Sequence, residues 1–241
     1  MLTSLADGRL LAEKTGSTPP AVVALHGWAR NGADFTAIVA GLDAIAPHLP
    51  GFGTTDAPPT AWGSADYAEL VAEAIRPFAP VVILGHSFGG RVAVRLAAKY
   101  PELVTSLVLT GVPLVRLAPV SKPALLFRVV RALAKARILP RSVLEKQRTK
   151  HGSADYNAAQ GVMREVLVKV VNENYRDDLA VIDVPVRMVW GEHDTSAPTD
   201  AGRAASELLT NATFTVVPGE GHLLEGALRD RVRAELVEVL A

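Results

Sequence analysis

Val81-Val82-Ile83-Leu84-Gly85-His86-Ser87-Phe88-Gly89-Gly90 is the stretch whose reading decides the fold. Val81–Leu84 is a short apolar run without polar alternation, as expected for a strand buried on both faces. Gly85–Gly90 fits the pattern G-x-S-x-G, and a helical pattern follows over Phe88–Lys99 until Pro101 ends it. A serine between a strand and a helix is the context in which this pattern carries chemistry. The turn must be sharp enough to push the hydroxyl out over the sheet edge, which strains the serine backbone. Glycine on either side lets neighbouring chain approach closely. The new helix aims its first N–H groups at the same point, where they favour developing negative charge.

The alternation extends both ways from this turn. Upstream, Ala21–Leu25 reads as a buried strand and Asn31–Ala40 as a helix. Asp43–Ala46 reads as a short strand stopped by Pro47, and Ser64–Phe78 as a helix with Ser64 at its N-cap. Thr105–Leu109 is the next strand. The pattern resumes with Val186–Trp190 (strand), Pro198–Leu209 (helix), Ala212–Val217 (strand) and Leu223–Leu240 (helix). Such alternation implies right-handed crossovers and a mostly parallel sheet with helices on both faces. At the start, Leu2–Ala6 and Arg9–Glu13 flank Asp7-Gly8, a hairpin signal that adds an antiparallel edge. Between Gly111 and about Asp183 helical patterns replace the alternation. We therefore expect an α/β core domain made of residues 1–111 and 184–241, interrupted by a helical lid over 112–183.

The whole chain narrows the function further. At 241 residues and 49% hydrophobic content it supports one large core. Zero net charge and a pI near 7.0 give no argument for nucleic acid as partner. The absence of cysteine excludes disulfides, thiolate metal sites and cysteine nucleophiles. The start has no basic-then-apolar leader, and no apolar run approaches the ~20 residues that span a bilayer. The expectation is a cytoplasmic protein without a transmembrane segment.

A serine hydroxyl is a poor nucleophile until a base takes its proton. Of His26, His48, His86, His151, His193 and His222, the last follows the strand Ala212–Val217 within Pro-Gly-Glu-Gly-His. Parallel strands end on one edge, so this loop opens beside Ser87. His193 is the main rival, but taking it as base leaves no acid between nucleophile and histidine in chain order. His26 is read as shaping its loop, and His86 as pointing elsewhere. The acid that orients the base is expected at Asp194, four residues past Val186–Trp190. Glu192 is its nearest competitor, and Asp200 belongs in the next helix. An oxyanion needs backbone donors. The N–H of Phe88 is one, and Trp28 in His26-Gly27-Trp28, after the strand Ala21–Leu25, supplies the second.

Taken together these segments resemble the α/β-hydrolase superfamily. His26-Gly27-Trp28, Leu49-Pro50-Gly51-Phe52-Gly53, Gly85–Gly90, Gly191–Asp194 and Gly219–His222 occur in that family's order, over essentially the whole chain. The resemblance implies an eight-stranded sheet with a lid inserted after the sixth strand. It implies ester hydrolysis through an acyl-enzyme on Ser87, with no metal and no organic cofactor. The family usually has Asp where this chain has His48, a loop position outside the chemistry. Serine at 87 argues against dehalogenases and epoxide hydrolases, which resemble this pattern but use a carboxylate. Fold alone does not choose the reaction, so C–C cleavage or elimination by the same three residues, and a non-catalytic binding module, stand as alternatives.

One further feature is charge. Residues 112–150 hold ten cationic residues against a single acid, Glu145, so total neutrality conceals a strong asymmetry. On the expected helix Pro123–Ala136, Arg128, Arg131 and Lys135 share a face. The segment is read either as a solvated face or as attracting an anion. That anion would be an acidic small substrate, a carrier protein or an anionic membrane surface. The chain resembles the menaquinone-pathway synthase, which takes a multiply anionic substrate, in Gly89-Gly90-Arg91. It resembles the biotin-pathway carboxylesterase, whose basic lid docks a carrier protein, in His-Gly-Trp. For Arg91 a structural role on the first helical turn competes with an anion-binding one.

Overall fold

The computed structural model describes residues 1–117 and 153–241. The apolar runs become β1 (Leu2–Leu5), β2 (Leu10–Thr15), β3 (Val22–Leu25), β4 (Ala44–His48), β5 (Val81–His86), β6 (Val104–Thr110), β7 (Val186–Gly191) and β8 (Ala212–Val217). They form one sheet in the order β1-β2-β4-β3-β5-β6-β7-β8. β2 pairs antiparallel with both β1 and β4, and all other neighbours are parallel. The β1–β2 hairpin turns through Ala6, Asp7 and Gly8, all at positive φ. This is the α/β-hydrolase fold, with β5 at the middle of the sheet.

Alternate residues of the buried strands feed two cores. Val23, Leu25, Ile83, Leu107, Leu109 and Met188 face α1 (Ser64–Ile75) and α2 (Phe88–Lys99). Val22, Ala24, Val82, Leu84, Val108 and Val189 face Phe35, Ile38 and the helix at the C-terminal end, through Leu228, Val232 and Leu236. Each fully buried aliphatic side chain contributes about 1.5–3 kcal/mol. Two apolar faces on one strand explain the continuous runs in the sequence. Between β6 and β7 the described residues carry α3 (Ala154–Ala158), α4 (Gly161–Val171) and α5 (Arg176–Ala180), and no strand. Val166, Val170, Tyr175, Leu179 and Ile182 of this segment join the first core. The basic helix expected at 123–136 lies outside the described residues. After β7 come α6 (Thr199–Ser206) and, after β8, α7 (Gly226–Leu240). Among the described residues no helix is long and apolar enough to cross a membrane.

Three local expectations are corrected. Asn31–Ala40 is not a helix but a single 3-10 turn, Gly32–Phe35, followed by irregular turns. Gly32 is wedged against the Ala46 carbonyl with no room for a side chain, and Gly41 breaks away at φ +78°. Strand β4 runs through Pro47 to His48. Its ladder to β3 ends at Ile45, so the proline sits where only β2 is paired. Ser64 is not the cap of α1. Gly63 occupies that position, and its N–H donates to Asp66 at 2.6 Å. The buried Ser64 hydroxyl instead donates to Glu173 and accepts from Tyr175, joining α1 to the segment after α4.

Candidate active site

Ser87 sits between the end of β5 and the first turn of α2, at φ 51° and ψ −113°. That region is costly for a residue with a side chain and persists only where surroundings over-determine it. Here the Ser87 N–H donates to the Thr110 carbonyl at 3.1 Å, and the Gly90 N–H donates back to the Ser87 carbonyl at 3.1 Å. A β-carbon on Gly85 would lie 2.6 Å from the Gly90 Cα, and one on Gly89 would overlap the Leu25 carbonyl. The glycine spacing read in the sequence is thus a packing requirement of the turn.

His222 and Asp194 meet Ser87 at this edge. His222 Nε2 lies 3.1 Å from Ser87 Oγ, and His222 Nδ1 lies 2.8 Å from Asp194 Oδ2. A carboxylate only accepts, so Nδ1 carries the proton and Nε2 is left as the acceptor facing the hydroxyl. The other Asp194 oxygen accepts from the N–H groups of Ser196 at 2.9 Å and Ala197 at 2.7 Å, which hold the buried carboxylate in one orientation. Gly111, after β6, lets the pair pass. A β-carbon there would lie 3.0 Å from the His222 ring and 3.1 Å from Asp194 Oδ2. The competitors go elsewhere. His193 is exposed beside Glu192, whose carboxylate accepts from the Gly219 N–H at 2.9 Å, and Asp200 begins α6.

Trp28 and Phe88 flank the serine. Phe88 opens α2, so its N–H has no intrahelical acceptor. Trp28 follows Gly27, where a β-carbon would lie 3.4 Å from Ser87 Cβ. Neither N–H is engaged by an acceptor among the described residues. The indole packs edge-on against Phe52 and Phe88, with centroids 4.9 and 5.6 Å away. His26 secures the loop behind them. Its Nε2 accepts from the Leu49 N–H at 3.0 Å, and its Nδ1–H donates to the Gly27 carbonyl at 2.8 Å. Burial pushes its pKa down to about 4, so it serves as a neutral brace. On the next loop, the Thr54 N–H donates to His48 Nδ1 at 3.1 Å.

The place of His86 on the strand-end turn suggests that it points away from the site, but it turns toward His222. Its Nε2–H donates to the His222 carbonyl at 3.0 Å, and the two rings lie 4.9 Å apart. Burial, and secondarily the neighbouring His222, push its pKa down to about 4. The sequence signal was only its position, one residue before the serine at the sheet edge.

A cavity of about 400 Å3 opens over Ser87 and His222, walled by Trp28, Phe88, Leu167 and Val171. Arg30 and Arg91 also line it. The Arg91 guanidinium donates to the Val170 carbonyl at the end of α4 at 2.8 Å, while its buried Nε has no partner among the described residues. Arg95, one turn further along α2, is instead paired with Asp178 at 2.6 Å.

This arrangement suits attack by a hydroxyl on an electrophilic carbon. Residues 22–237 match the model of the alpha/beta hydrolase family, and the chain belongs to that family. The 2-(acetamidomethylene)succinate hydrolase of Mesorhizobium japonicum is 30% identical over 227 residues, which cover 84% of this chain and 81% of that one. Among solved structures, an esterase from Thermogutta terrifontis superposes with a TM-score of 0.70 at 20% identity, covering 100% of this chain and 98% of that one. A meta-cleavage product hydrolase from Pseudomonas fluorescens IP01 also gives 0.70, at 19% identity, over 98% and 96% of the two chains. At such identities these structures speak for the fold alone.

Proposed function

We propose that the protein hydrolyses a carboxylic ester through an acyl-enzyme on Ser87. The observation that carries this reading is the line Asp194–His222–Ser87, with contacts of 2.8 and 3.1 Å, whose Ser87 and His222 line the cavity. Ser87 Oγ attacks the ester carbonyl while His222 Nε2 takes its proton. The N–H groups of Trp28 and Phe88 receive the oxyanion, each such donor contributing about 2.7–4 kcal/mol to the barrier reduction. His222 then protonates the departing alcohol. Water then attacks the acyl carbon as His222 takes its proton, and the acid departs as His222 returns that proton to Ser87 Oγ. Asp194 holds the Nδ1–H tautomer and offsets the charge of the imidazolium. Turnover of a short-chain chromogenic ester tests this. Ser87→Ala is expected to lower kcat by about 10⁶-fold, and equal rates in the two proteins would sink the reading.

A second reading concerns the substrate and rests on Arg91, because the other cation lining the cavity, Arg30, is paired with Asp34 at 2.6 and 2.9 Å. Arg91 presents a guanidinium without a carboxylate partner within 4 Å among the described residues, and the stretch 112–150 is strongly basic. The relative from Mesorhizobium is named for a succinate derivative, an anionic compound. Of the anionic partners considered from the sequence, a small substrate bearing a carboxylate fits this cavity best. It extends to C–C cleavage or elimination with the same three residues. Esters with and without a carboxylate on the acyl group, assayed beside acidic diketones, separate these outcomes. Arg91→Met is expected to erase a preference for the anionic ester. Equal loss on neutral and anionic esters would mark Arg91 as a purely structural tie to α4.

A further inference from the structure

His86 belongs to the strand of the nucleophile, yet its polar contact is made with the base. β5 and β8 are separated in the sheet by β6 and β7. The loop that carries His222 is tied mainly to its near neighbour, the loop after β7. Gly219 N–H donates to Glu192 at 2.9 Å, His193 N–H donates to the Glu220 carbonyl at 2.8 Å, and Asp194 holds the ring. These contacts set His222 relative to Asp194. They do not set it relative to Ser87, which rides on β5. Among the described residues, the hydrogen bond from His86 Nε2–H to the His222 carbonyl is what joins the main chain of the base loop to the nucleophile strand.

We propose that His86 is the positioning residue for the base, holding the His222 main chain so that Nε2 stays within reach of the Ser87 hydroxyl. The inference rests on the reading of His222 as base. His86 is suited to the task by packing. It is 3% exposed, and a β-carbon on Gly27 would lie 3.1 Å from its Nδ1, so that edge of the ring is hemmed in. It is suited also by charge. A neutral ring keeps its Nε2–H when His222 becomes an imidazolium 4.9 Å away, whereas lysine or arginine here would repel that charge. The geometry being protected is narrow, since a displacement of about 1 Å costs about 100-fold in rate.

Three proteins test it: wild type, His86→Leu, which fills the space without a donor, and His86→Gln, whose amide reaches the same carbonyl. Two readouts are used, the rate at which a fluorophosphonate labels Ser87, and kcat and KM for the ester. His86→Leu is expected to lower labelling and kcat by about 100-fold with KM unchanged, and His86→Gln to recover most of both. Wild-type behaviour in the leucine variant, or equal impairment in both variants, overturns the proposal. Melting temperatures accompany each assay, and should the leucine variant not fold, His86→Asn, whose amide falls short of the carbonyl, replaces it. A wild type that is labelled but turns over no ester refutes ester hydrolysis, while the labelling ratios still decide the role of His86. If the wild type is not labelled either, the His222 ring Nδ1–H resonance decides. It is expected to move in the leucine variant and return in the glutamine variant, and an unmoved resonance overturns the proposal.

Discussion

The turn that carries Ser87 and the loop that carries His222 reach the same sheet edge by different means. The turn is held by main-chain packing: Gly85 faces Gly90, the serine carbonyl is bonded to the start of α2, Gly89 presses on the end of β3, and the serine N–H is bonded to the Thr110 carbonyl of β6. The His222 loop has a few bonds of its own, such as the Ala227 N–H to Glu220 at 2.7 Å, but the histidine itself is placed by side chains from other loops. Glu192 and Asp194 steady it from the loop after β7, His86 reaches it from β5, and Gly111 makes room after β6. An element set by main-chain packing ties activity to folding, because its geometry is its packing. An element assembled from distant side chains allows the two to be separated.

That contrast gives a graded series. Asp194→Asn is expected to cut kcat by about 10⁴-fold. The amide oxygen still accepts from Ser196 and Ala197, so urea denaturation is expected to show little loss of stability. A comparable loss of stability would break the contrast. Gly89→Ala should do the opposite and lower both together. Its methyl meets the β3 main chain, and a cost of about 3 kcal/mol or more is expected in urea, along with lost labelling of Ser87. Gly111→Ala sharpens the point. Its positive φ costs about 1–2 kcal/mol for alanine while the methyl displaces the His222 ring, so kcat should fall about 100-fold.

The buried histidines predict an acid limit. His26 and His86 are held near pKa 4 by burial, below the ordinary value of 6.5. Between those pH values the unfolded chain binds protons that the folded chain refuses. Stability is therefore full above about pH 6.5 and is lost as pH falls, by roughly 1 kcal/mol per pH unit for each group, levelling below about pH 4. Urea midpoints measured through this range check it, and His26→Gln should flatten the slope. The smallest effect is expected from Glu192→Gln, which weakens one exposed tie to Gly219. A stability change of about 0.5 kcal/mol and a small drop in kcat would fit, and a larger one would make that tie as important as His86.

Much of the site was legible because it is written in local patterns. A buried apolar run, a glycine-flanked serine and a helix identify the turn at 81–99 without reference to the rest of the chain. His222 and Asp194 were legible through topology, since loops after parallel strands share an edge, and chain order distinguished them from His193 and Glu192. The errors arose where a residue answers to distant chain. Ser64 has the chemistry of a helix cap, but Glu173 and Tyr175 claim its hydroxyl. Asn31–Ala40 has helical spacing, but Gly32 must press against β4.

The sequence by itself determined the order of elements, the strained turn at Ser87, and which acid and histidine share its edge, because backbone sterics and apolar periodicity act over short stretches of chain. Only the tertiary structure decided how His222 is held. His86 and His222 are 136 residues apart, and Gly111 matters only because two side chains from other loops cross above it. Contacts of that kind depend on which strands lie between others in the sheet, and no local pattern records them.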